Sequence, residues 1–476
     1  MYRAAVVDVG SNAVRLAWVR VGLLGHTLEH GFHRFPIRLG ADVFSEGSIS
    51  KSKFVKLQLA FDEISKTITK QNILSYRAVA TSAMREAVNG DAVVDALCAT
   101  TSVRLEIIDG VEELRLSRSA LERVVGNVLN DTLFLDLGGG SLELERADGN
   151  FSVSLPIGTV RLLEGFPELR APLSEAAFWG LIEKLGDELR DYLERCNVGE
   201  VAIGTGGNLG VLSQLVNGTG APIPSLSMTK LPKVLVDLSM LSVAERMERY
   251  ALREDRADSI VAAGIALLAI AKFFDIKEIL VPGTGLRDQV LYELLAQKLG
   301  GARIFSHLPK SYNVSSSYIQ HCEKLSRDIF NAFSPFHQLW PPAQMILLAA
   351  LIYRDLGVVL DPENPAAHSS YMVRHDSRLA LDESMRRVVV ALMMTERKLG
   401  RGAKGVRLNP IEKRVFYSLV PMFLLGLRLR HRRDDFALSV IHRSEGATVY
   451  LDIDDPDLED IMAGANRVWK SSIRLS

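Results

Sequence analysis

The clearest hydrophobic pattern in the chain surrounds three consecutive glycines, in the stretch LFLDLGGGSLEL from Leu133 to Leu144. An apolar run precedes Asp136, and leucines flank Glu143 after the glycines, so the pattern predicts a hairpin of two strands. Three glycines at the turn indicate positive φ angles, or a neighbour that leaves no room for a Cβ. The bare N–H groups of such a turn suit a phosphate, although an ordinary glycine-rich hairpin has the same pattern.

A second stretch near the start of the chain has the same layout. Residues 4–7 are an apolar strand run, DVGSN follows at residues 8–12, and a second strand is predicted over residues 14–19. This repeat of strand, aspartate, glycine turn and strand predicts two similar domains that face one another. Carboxylates beside a phosphate site usually hold Mg²⁺ or orient a water, which makes Asp8, Asp136 and Glu143 candidate metal ligands. The candidate phosphate-binding residues of the two turns are Gly10, Ser11, Asn12, Gly138, Gly139, Gly140 and Ser141.

Two further glycine-rich turns follow short apolar strands, at residues 204–208 and 282–288. Each opens a helix, and Gly206 and Gly207 of the first turn are added to the candidate phosphate contacts. Strands that end in such turns on two facing domains describe an α/β nucleotide or phosphate cleft. Neither a G-x-G-x-x-G fingerprint after the first strand nor a G-x-x-x-x-G-K-[ST] motif occurs, which excludes the Rossmann and P-loop interpretations.

Charged residues at two predicted helix starts complete the candidate chemistry. Arg85 follows a strand and a possible Thr81–Ser82 cap, so its guanidinium could bind phosphate. The helix from Val111 carries Glu112 and Glu113 in its first turn, where acidic residues are also common because they suit the helix dipole. The effect of the helix dipole is enough to explain one of these two glutamates, but it explains the presence of both less easily.

Composition bounds these interpretations. A chain of 476 residues suggests three or four domains, and 56 Lys+Arg against 57 Asp+Glu give no global field that favours nucleic acid or membrane. Three scattered cysteines (Cys98, Cys196 and Cys322) and a start without a signal-peptide pattern predict a cytoplasmic protein. The apolar run from Ile260 to Phe274 is broken by Lys272 and is shorter than a membrane span requires.

As a set, these segments resemble the exopolyphosphatase/guanosine pentaphosphate phosphohydrolase (Ppx/GppA) family of the actin and sugar-kinase superfamily. The matching pieces are DVGSNAVRL at 8–16, ATSAMREA at 80–87, IDGVEELRL at 108–116, LDLGGGSLEL at 135–144, AIGTGGN at 202–208 and GTGLRD at 283–288. Each motif alone is weak, but their order over the first 300 residues is specific.

The resemblance implies two ribonuclease H-like domains, at residues 1–130 and 131–300, which close over a cleft. It implies hydrolysis of terminal phosphates of inorganic polyphosphate, or of guanosine pentaphosphate to tetraphosphate, with Mg²⁺. Asp8 and Asp136 would lie near the metal, and Glu143 would position metal or water. By resemblance, Glu113 would be the general base that orients the attacking water, with Glu112 as the other candidate. Arg85 would help to neutralise the charge of the phosphates. We also expect a homodimer with no nucleic-acid or membrane partner.

Residues 301–405 are predicted to be mostly helical and resemble, in degenerate form, the HD-type domain that longer members of the family carry there. A small α+β domain is predicted at 406–476. Where the HD family pattern has its His-Asp pair, this chain has Arg354-Asp355, and only His368 remains of the histidine cluster. A later Tyr-His position reads Thr395-Glu396. A lone His and Asp make a poor metal site, which predicts a structural or polyphosphate-guiding role. The basic residues Arg428, Arg430, His431, Arg432 and Arg433 form either a solvated connector or a polyanion contact.

Two other classes of function remain open on the sequence. One is a kinase of the same superfamily, which the Glu-Glu helix disfavours, because those kinases usually take an aspartate base from the first domain. The other is a non-catalytic regulator that binds guanosine tetraphosphate or polyphosphate in the same cleft. The sequence does not rank polyphosphate against guanosine pentaphosphate, since both present the same terminal phosphate.

Overall fold

A computed structural model gives the fold. It describes the 476 residues except 127, 191, 194–195, 219–223, 298–304, 396–405, 432–437, 444–445, 452–454, 456, 472 and 476. The sequence-based assignments to Glu396, Arg432 and Arg433 therefore lie outside the described residues. The sequence pattern also predicts helices over residues 176–195 and 381–398 and strands over residues 436–442 and 447–453, and the ends at Arg195, Lys398, Phe436 and Ile453 likewise lie outside the described residues.

The first sheet has the strand order β3-β2-β1-β4-β5. Strands β1 to β3 form an antiparallel meander, and β4 and β5 continue the sheet parallel to β1. The strands are β1 Tyr2–Val9, β2 Val14–Val21, β3 Thr27–Phe35, β4 Tyr76–Ala80 and β5 Leu105–Ile107. The helices of this half are α1 Leu39–Glu46, α2 Lys51–Lys70, α3 Ser82–Glu86, α4 Gly90–Thr100 and α5 Gly110–Val125.

The second sheet repeats this arrangement, with the order β10-β11-β9-β6-β7-β8. Strands β6 to β8 form the meander, and β9 and β11 follow in parallel, so the predicted internal repeat is confirmed. The strands are β6 Leu133–Leu137, β7 Leu142–Arg146, β8 Ser152–Leu155, β9 Val201–Thr205, β10 Ser225–Ser227 and β11 Glu278–Leu280. The helices are α6 Thr159–Gly165, α7 Glu175–Leu189, α8 Gly207–Asn217, α9 Leu231–Ser239, α10 Val243–Tyr250, α11 Glu254–Phe274 and α12 Leu286–Gln297.

Two helices connect the sheets, and one of them crosses the predicted boundary. Helix α12 packs on the first sheet, where Val290 and Leu291 join the core of β1 and β4, although the predicted limits put it in the second domain. Helix α5 carries Leu116 into that same core. Its last turns place Leu121 and Val125 against the second sheet. The base candidates therefore lie on a helix that both halves hold.

Helix α11 is the core helix of the second half. It is longer than the apolar run read from the sequence, so by length and composition it is one of two described helices that could cross a membrane. However, 89% of its apolar window is buried inside the protein, and the other helix, which begins at Pro341, has 67% of its window buried. Such burial is that of core helices, and these helices are weak evidence for a membrane.

The remaining elements share one core. The helices are α13 Leu308–Tyr312, α14 Ser316–Ala332, α15 Ser334–His337, α16 Pro341–Tyr353, α17 Pro365–His375, α18 Glu383–Met393, α19 Pro410–Leu429 and α20 Asp457–Trp469. The strands are β12 Leu438–Arg443, β13 Gly446–Leu451 and β14 Ile473–Leu475. Helix α19 packs on α16 and α18, so in the part of the chain that the structure describes, residues of both predicted C-terminal domains contribute to this core.

Residues at the expected HD positions are used in side-chain contacts. Asp355 accepts a hydrogen bond from Arg430 and lies 3.5 Å from Nε2 of His431. Nε2 of His368 lies 3.7 Å from a carboxylate oxygen of Asp361. Because Arg430 already faces a carboxylate, the basic run is partly neutralised within the fold.

Candidate active site

The cleft between the two sheets holds a cavity of about 340 Å³. Both predicted glycine turns line it, together with the turn that opens α8. The sequence-predicted lining residues are Asp8, Gly10, Ser11, Asn12, Glu113, Asp136, Gly138, Gly139, Gly140, Ser141, Gly206 and Gly207. The candidates from four separate motifs therefore meet at one cavity, while their individual roles stay predictions.

Two of the three glycines of the β6–β7 turn, Gly139 and Gly140, are explained by close approach of the other half. None of them has a positive φ angle. A Cβ on Gly139 would lie 3.1 Å from the Cβ of Ser11, across the cleft, and one on Gly140 would lie 2.8 Å from Ser11 Oγ and closer still to Ser82 Oγ. Of the two sequence-based explanations, the second is the right one, since the turns of the two halves are packed against each other.

The turn at Gly206 and Gly207 has both properties. Gly206 has a φ angle of 134°, which favours glycine. A Cβ on Gly207 would lie 2.8 Å from Nη1 of Arg256, and that nitrogen donates to Oδ1 of Asn208 at 3.0 Å. Burial lowers the pKa of Arg256 to about 10, and its guanidinium lines the cavity.

Glu113 lies in the first turn of α5, whose start is fixed by Asp109. The Asp109 side chain accepts the N–H of Glu112 at 2.8 Å, and the side chain of Glu113, 14% exposed, then points into the cavity. Arg85 donates to Oε2 of Glu113 at 3.2 Å and to the carbonyl oxygen of Ile108 at 2.8 Å. Burial, and then the charges of Glu143 and Asp136, raise the pKa of Glu113 well above its usual range.

Asp136 and Glu143 are opposite one another in the β6–β7 hairpin. Glu143 is 2% exposed, accepts a hydrogen bond from Ser154 Oγ at 3.1 Å, and is not among the residues that line the cavity. Asp136 accepts one from Ser117 Oγ on α5. Burial is the main reason why the pKa values of both carboxyls are raised, and the Asp136 charge adds to the shift of Glu143.

The structure separates the two glutamates of the pair. Glu112 does not line the cavity, and its carboxylate accepts hydrogen bonds from Arg115 at 2.6 Å and Arg77 at 2.9 Å. The bond from Arg115 and that from Arg77 lower the pKa of Glu112 to about 2. Arg85, predicted to bind phosphate, is likewise outside the lining and contacts Glu113 instead.

Sequence reasoning missed three arginines that line the cavity: Arg15, Arg256 and Arg287. Arg15 donates to Oδ2 of Asp8 at 3.0 Å, and Nε of Arg287 lies 3.9 Å from the same oxygen. Arg15 lies within the motif DVGSNAVRL and Arg287 within GTGLRD. The sequence therefore places both residues near the predicted turns but does not show that their side chains point into the cavity. Only the packing of α12 on the first sheet brings Arg287 to Asp8.

The donor set of the cleft fits a divalent cation. Asp8, Asp136 and Glu113 line the cavity, and the charges of Glu143 and Asp136 contribute to the raised pKa of Glu113, so a cation would relieve this excess negative charge. Among the described residues, no three His, Cys, Asp or Glu side chains are already arranged as a metal site. These observations are compatible, because Mg²⁺ commonly takes one or two carboxylates and completes its shell with water and substrate phosphates.

Ion pairs join the two halves at two places. Arg34 of β3 contacts Asp255 of α11 at 2.5 Å, and Arg38 contacts Asp258. On the other side, Arg161 of α6 contacts Glu86 at 2.6 Å. The two halves are therefore in direct side-chain contact.

Comparison with known proteins places this site in a family. A sequence model of the Ppx/GppA phosphatase family matches residues 32–298. Exopolyphosphatase 1 of Mycobacterium leprae is 29% identical over 63% of this chain and 92% of its own length. Guanosine-5'-triphosphate,3'-diphosphate pyrophosphatase of Photobacterium profundum is 21% identical over 92% of this chain and 89% of its own length.

Solved structures agree on the fold. An exopolyphosphatase from Cytophaga hutchinsonii matches with a TM-score of 0.53 and 21% identity, over 61% of this chain and 97% of its own. The Ppx/GppA member from Aquifex aeolicus matches with a TM-score of 0.51 and 23% identity, over 62% and 98%. Since the family match covers more than half of the 476 residues, the chain belongs to the Ppx/GppA phosphatase family and is a hydrolase of phosphoanhydride bonds.

Proposed function

We propose that this protein is an exopolyphosphatase, which releases the terminal phosphate of inorganic polyphosphate by attack of water. The observation that carries the proposal is the position of Glu113, a carboxylate of raised pKa at a cavity lined by two glycine turns. A phosphate seated on those turns would lie beside a base, which is the arrangement that hydrolysis requires.

Glu113 serves as the general base in this proposal. Arg85 hydrogen-bonds Oε2, which leaves Oε1 to accept a proton from a water in the cavity. The water oxygen forms the new bond to the terminal phosphorus as the bond to the bridging oxygen breaks, and the shortened chain leaves with that oxygen. The raised pKa of Glu113 makes its carboxylate a stronger base than an exposed glutamate.

The rest of the cavity supplies position and charge. Phosphoryl transfer depends mainly on these two factors, and the backbone N–H groups of the turns at Gly10–Asn12 and Gly138–Ser141 can donate to phosphate oxygens. The guanidinium groups of Arg15, Arg256 and Arg287 neutralise charge from three different elements.

Mg²⁺ is proposed as the cofactor, held by Asp8 and Asp136, with Glu143, the hairpin partner of Asp136, to position metal or water. When bound, it would supply positive charge beside the phosphate oxygens. Ser117 and Ser154 orient the carboxylates of Asp136 and Glu143 through their hydroxyl groups.

Guanosine pentaphosphate is the second candidate substrate. The relative whose name describes such a pyrophosphatase matches 92% of this chain, including much of the helical C-terminal body, whereas Exopolyphosphatase 1 matches 63%. The longer match to the pyrophosphatase favours a guanosine polyphosphate as an additional substrate of the same cavity. We further propose that the protein works in the cytoplasm as a homodimer.

Phosphate-release assays test the proposal. Long-chain polyphosphate, guanosine pentaphosphate and ATP are each incubated with the protein, with Mg²⁺ and with a chelator. The proposal predicts Mg²⁺-dependent release from polyphosphate and little from ATP. Phosphate release from guanosine pentaphosphate alone would make that compound the substrate in place of polyphosphate. Phosphate release from neither compound would refute the proposal.

A further inference from the structure

Arg287 is the cavity arginine with the most available donors. It is the second residue of α12, and its guanidinium donates no hydrogen bond to any residue that the structure describes. Its Nε lies 3.9 Å from Oδ2 of Asp8. Arg15 already donates to that oxygen, and Arg256 donates to Asn208. Arg287 therefore has the unoccupied fork that a phosphate would need.

An exposed aromatic ring supports this guanidinium. The carbon of the Arg287 guanidinium lies 5.2 Å from the ring centroid of Phe32, within the range of a cation–π contact. Phe32 is 51% exposed, so its ring is accessible beside the guanidinium and is not part of the core of the first sheet. The contact with Arg287 is therefore the interaction that the structure assigns to this ring.

Strand register explains why Phe32 reaches the cleft side of the sheet. Asp8 pairs with Arg15, and Arg15 pairs with Arg34 on β3. Cross-strand partners point to the same face, and so do residues two apart on one strand, so Phe32 lies on the face of Asp8 and Arg15. That face is the one that α12 covers.

We propose that Phe32 is a positioning residue for Arg287, and that Arg287 binds a phosphate of the substrate in the cavity. This inference rests on the proposed function for the identity of the phosphate compound. An arginine side chain loses considerable rotamer freedom when it binds a ligand, and a ring beneath its planar group reduces that loss in advance. Phe32 thus acts on affinity for phosphate and leaves the bond-breaking step to Glu113.

The test measures binding separately from turnover. In a Glu113→Gln background, the dissociation constant for tripolyphosphate is measured by calorimetry for added Arg287→Ala and Phe32→Ala. Loss of a charged hydrogen bond predicts about ten- to hundredfold weaker binding for Arg287→Ala. Loss of the ring predicts about two- to fivefold for Phe32→Ala, with recovery in Phe32→Tyr.

A double-mutant cycle and a matched control make the assignment specific. Phe32→Ala should add almost nothing once Arg287 is already alanine, because the ring acts through that side chain. Leu28→Ala removes another apolar side chain of β3, 43% exposed, and should leave binding unchanged. In the active protein, Phe32→Ala should raise KM with kcat unchanged.

Two results would overturn the inference: unchanged tripolyphosphate binding in Arg287→Ala, or equal effects of Phe32→Ala with and without Arg287. Melting temperatures identify any variant that is simply unfolded, and Phe32→Leu then replaces Phe32→Ala. If the wild-type protein releases no phosphate from any substrate but binding follows the predicted pattern, the proposed function fails and the inference stands. If the wild-type protein releases phosphate but the variants bind tripolyphosphate as tightly as the Glu113→Gln protein does, the inference fails and the proposed function stands.

Discussion

Arg85 Nη1 donates to Oε2 of Glu113 at 3.2 Å, and this bond ties the base candidate to a residue of another motif. The same nitrogen donates to the carbonyl oxygen of Ile108. The bond to Ile108 fixes the position of the Arg85 guanidinium, and the bond to Oε2 then orients the carboxylate of Glu113. Its charge also lowers the pKa of Glu113, against the larger effect of burial.

Replacing Arg85 by glutamine should raise the pKa of Glu113 further, because the opposing positive charge is lost. A base works only when deprotonated, so the rising limb of the kcat profile should move to higher pH, and the rate at pH 7 should fall. The measurement is phosphate release from polyphosphate between pH 5.5 and 9.

The matched control is Arg77→Gln on β4, whose guanidinium contacts Glu106 and Glu112 outside the cavity. It should leave the rising limb where it is. A limb that moves equally in both variants, or moves to lower pH in Arg85→Gln, would contradict the assignment.

Replacing Gly140 by alanine should displace the β6–β7 turn, since its Cβ would lie 2.8 Å from Ser11 Oγ and closer to Ser82 Oγ. Overpacking of this kind costs about 1–3 kcal/mol. We expect a lower melting temperature and at least tenfold slower phosphate release, because the turn lines the cavity.

Gly186→Ala is the control, because nothing lies within 4 Å of its added Cβ on α7. It should stabilise the protein by up to about 1 kcal/mol. Wild-type activity and melting temperature in Gly140→Ala would show that the two turns do not pack as closely as described.

Replacing Asp136 by asparagine should raise the Mg²⁺ concentration needed for half-maximal activity, because a charged ligand candidate is lost. Glu145→Gln on the neighbouring strand is the control, since Glu145 pairs with Arg118. Metal titrations of phosphate release check this. An unchanged Mg²⁺ requirement in Asp136→Asn would remove Asp136 from the proposed metal site.

His337 predicts how stability depends on pH. The ring is 6% exposed; Nε2 lies 2.7 Å from the carbonyl oxygen of Phe330, and Nδ1 accepts the N–H of Leu339. Burial lowers its pKa to about 4. The unfolded chain, with a pKa of about 6.5, then binds a proton that the native state does not. The free energy of unfolding therefore has its full value above pH 6.5. It decreases by about 3 kcal/mol as the pH falls towards 4 and the unfolded chain becomes protonated.

Melting temperatures of the wild type and His337→Gln at several pH values check this, since glutamine does not titrate. The difference between the two should be constant from pH 7 to 8 and should shrink on acidification to pH 5. A difference that grows on acidification would contradict the neutral, buried imidazole.

Local patterns predicted the hairpin at 133–144, the strand–turn–strand repeat and the helix that carries Glu113. These depend on alternation, glycines and caps within one segment, which a sequence displays directly. The direction of Arg287 and the outward pairing of Glu112 depend on how α12 and α5 pack, and long-range packing is not visible in local spacing. For the same reason, the domain limits near 300 and 405 did not anticipate that α12 joins the first sheet and α19 the C-terminal core.

The central claim is that Glu113 is the base. Glu113→Gln keeps the shape of the side chain and an oxygen that can accept from Arg85, so binding of tripolyphosphate should stay within a few-fold of wild type. Phosphate release from polyphosphate should fall by about 10²–10⁴-fold. Glu112→Gln, the adjacent control, should retain most of the activity because Glu112 lies outside the cavity. Near-normal release by Glu113→Gln, or a loss carried by Glu112→Gln instead, would contradict the account.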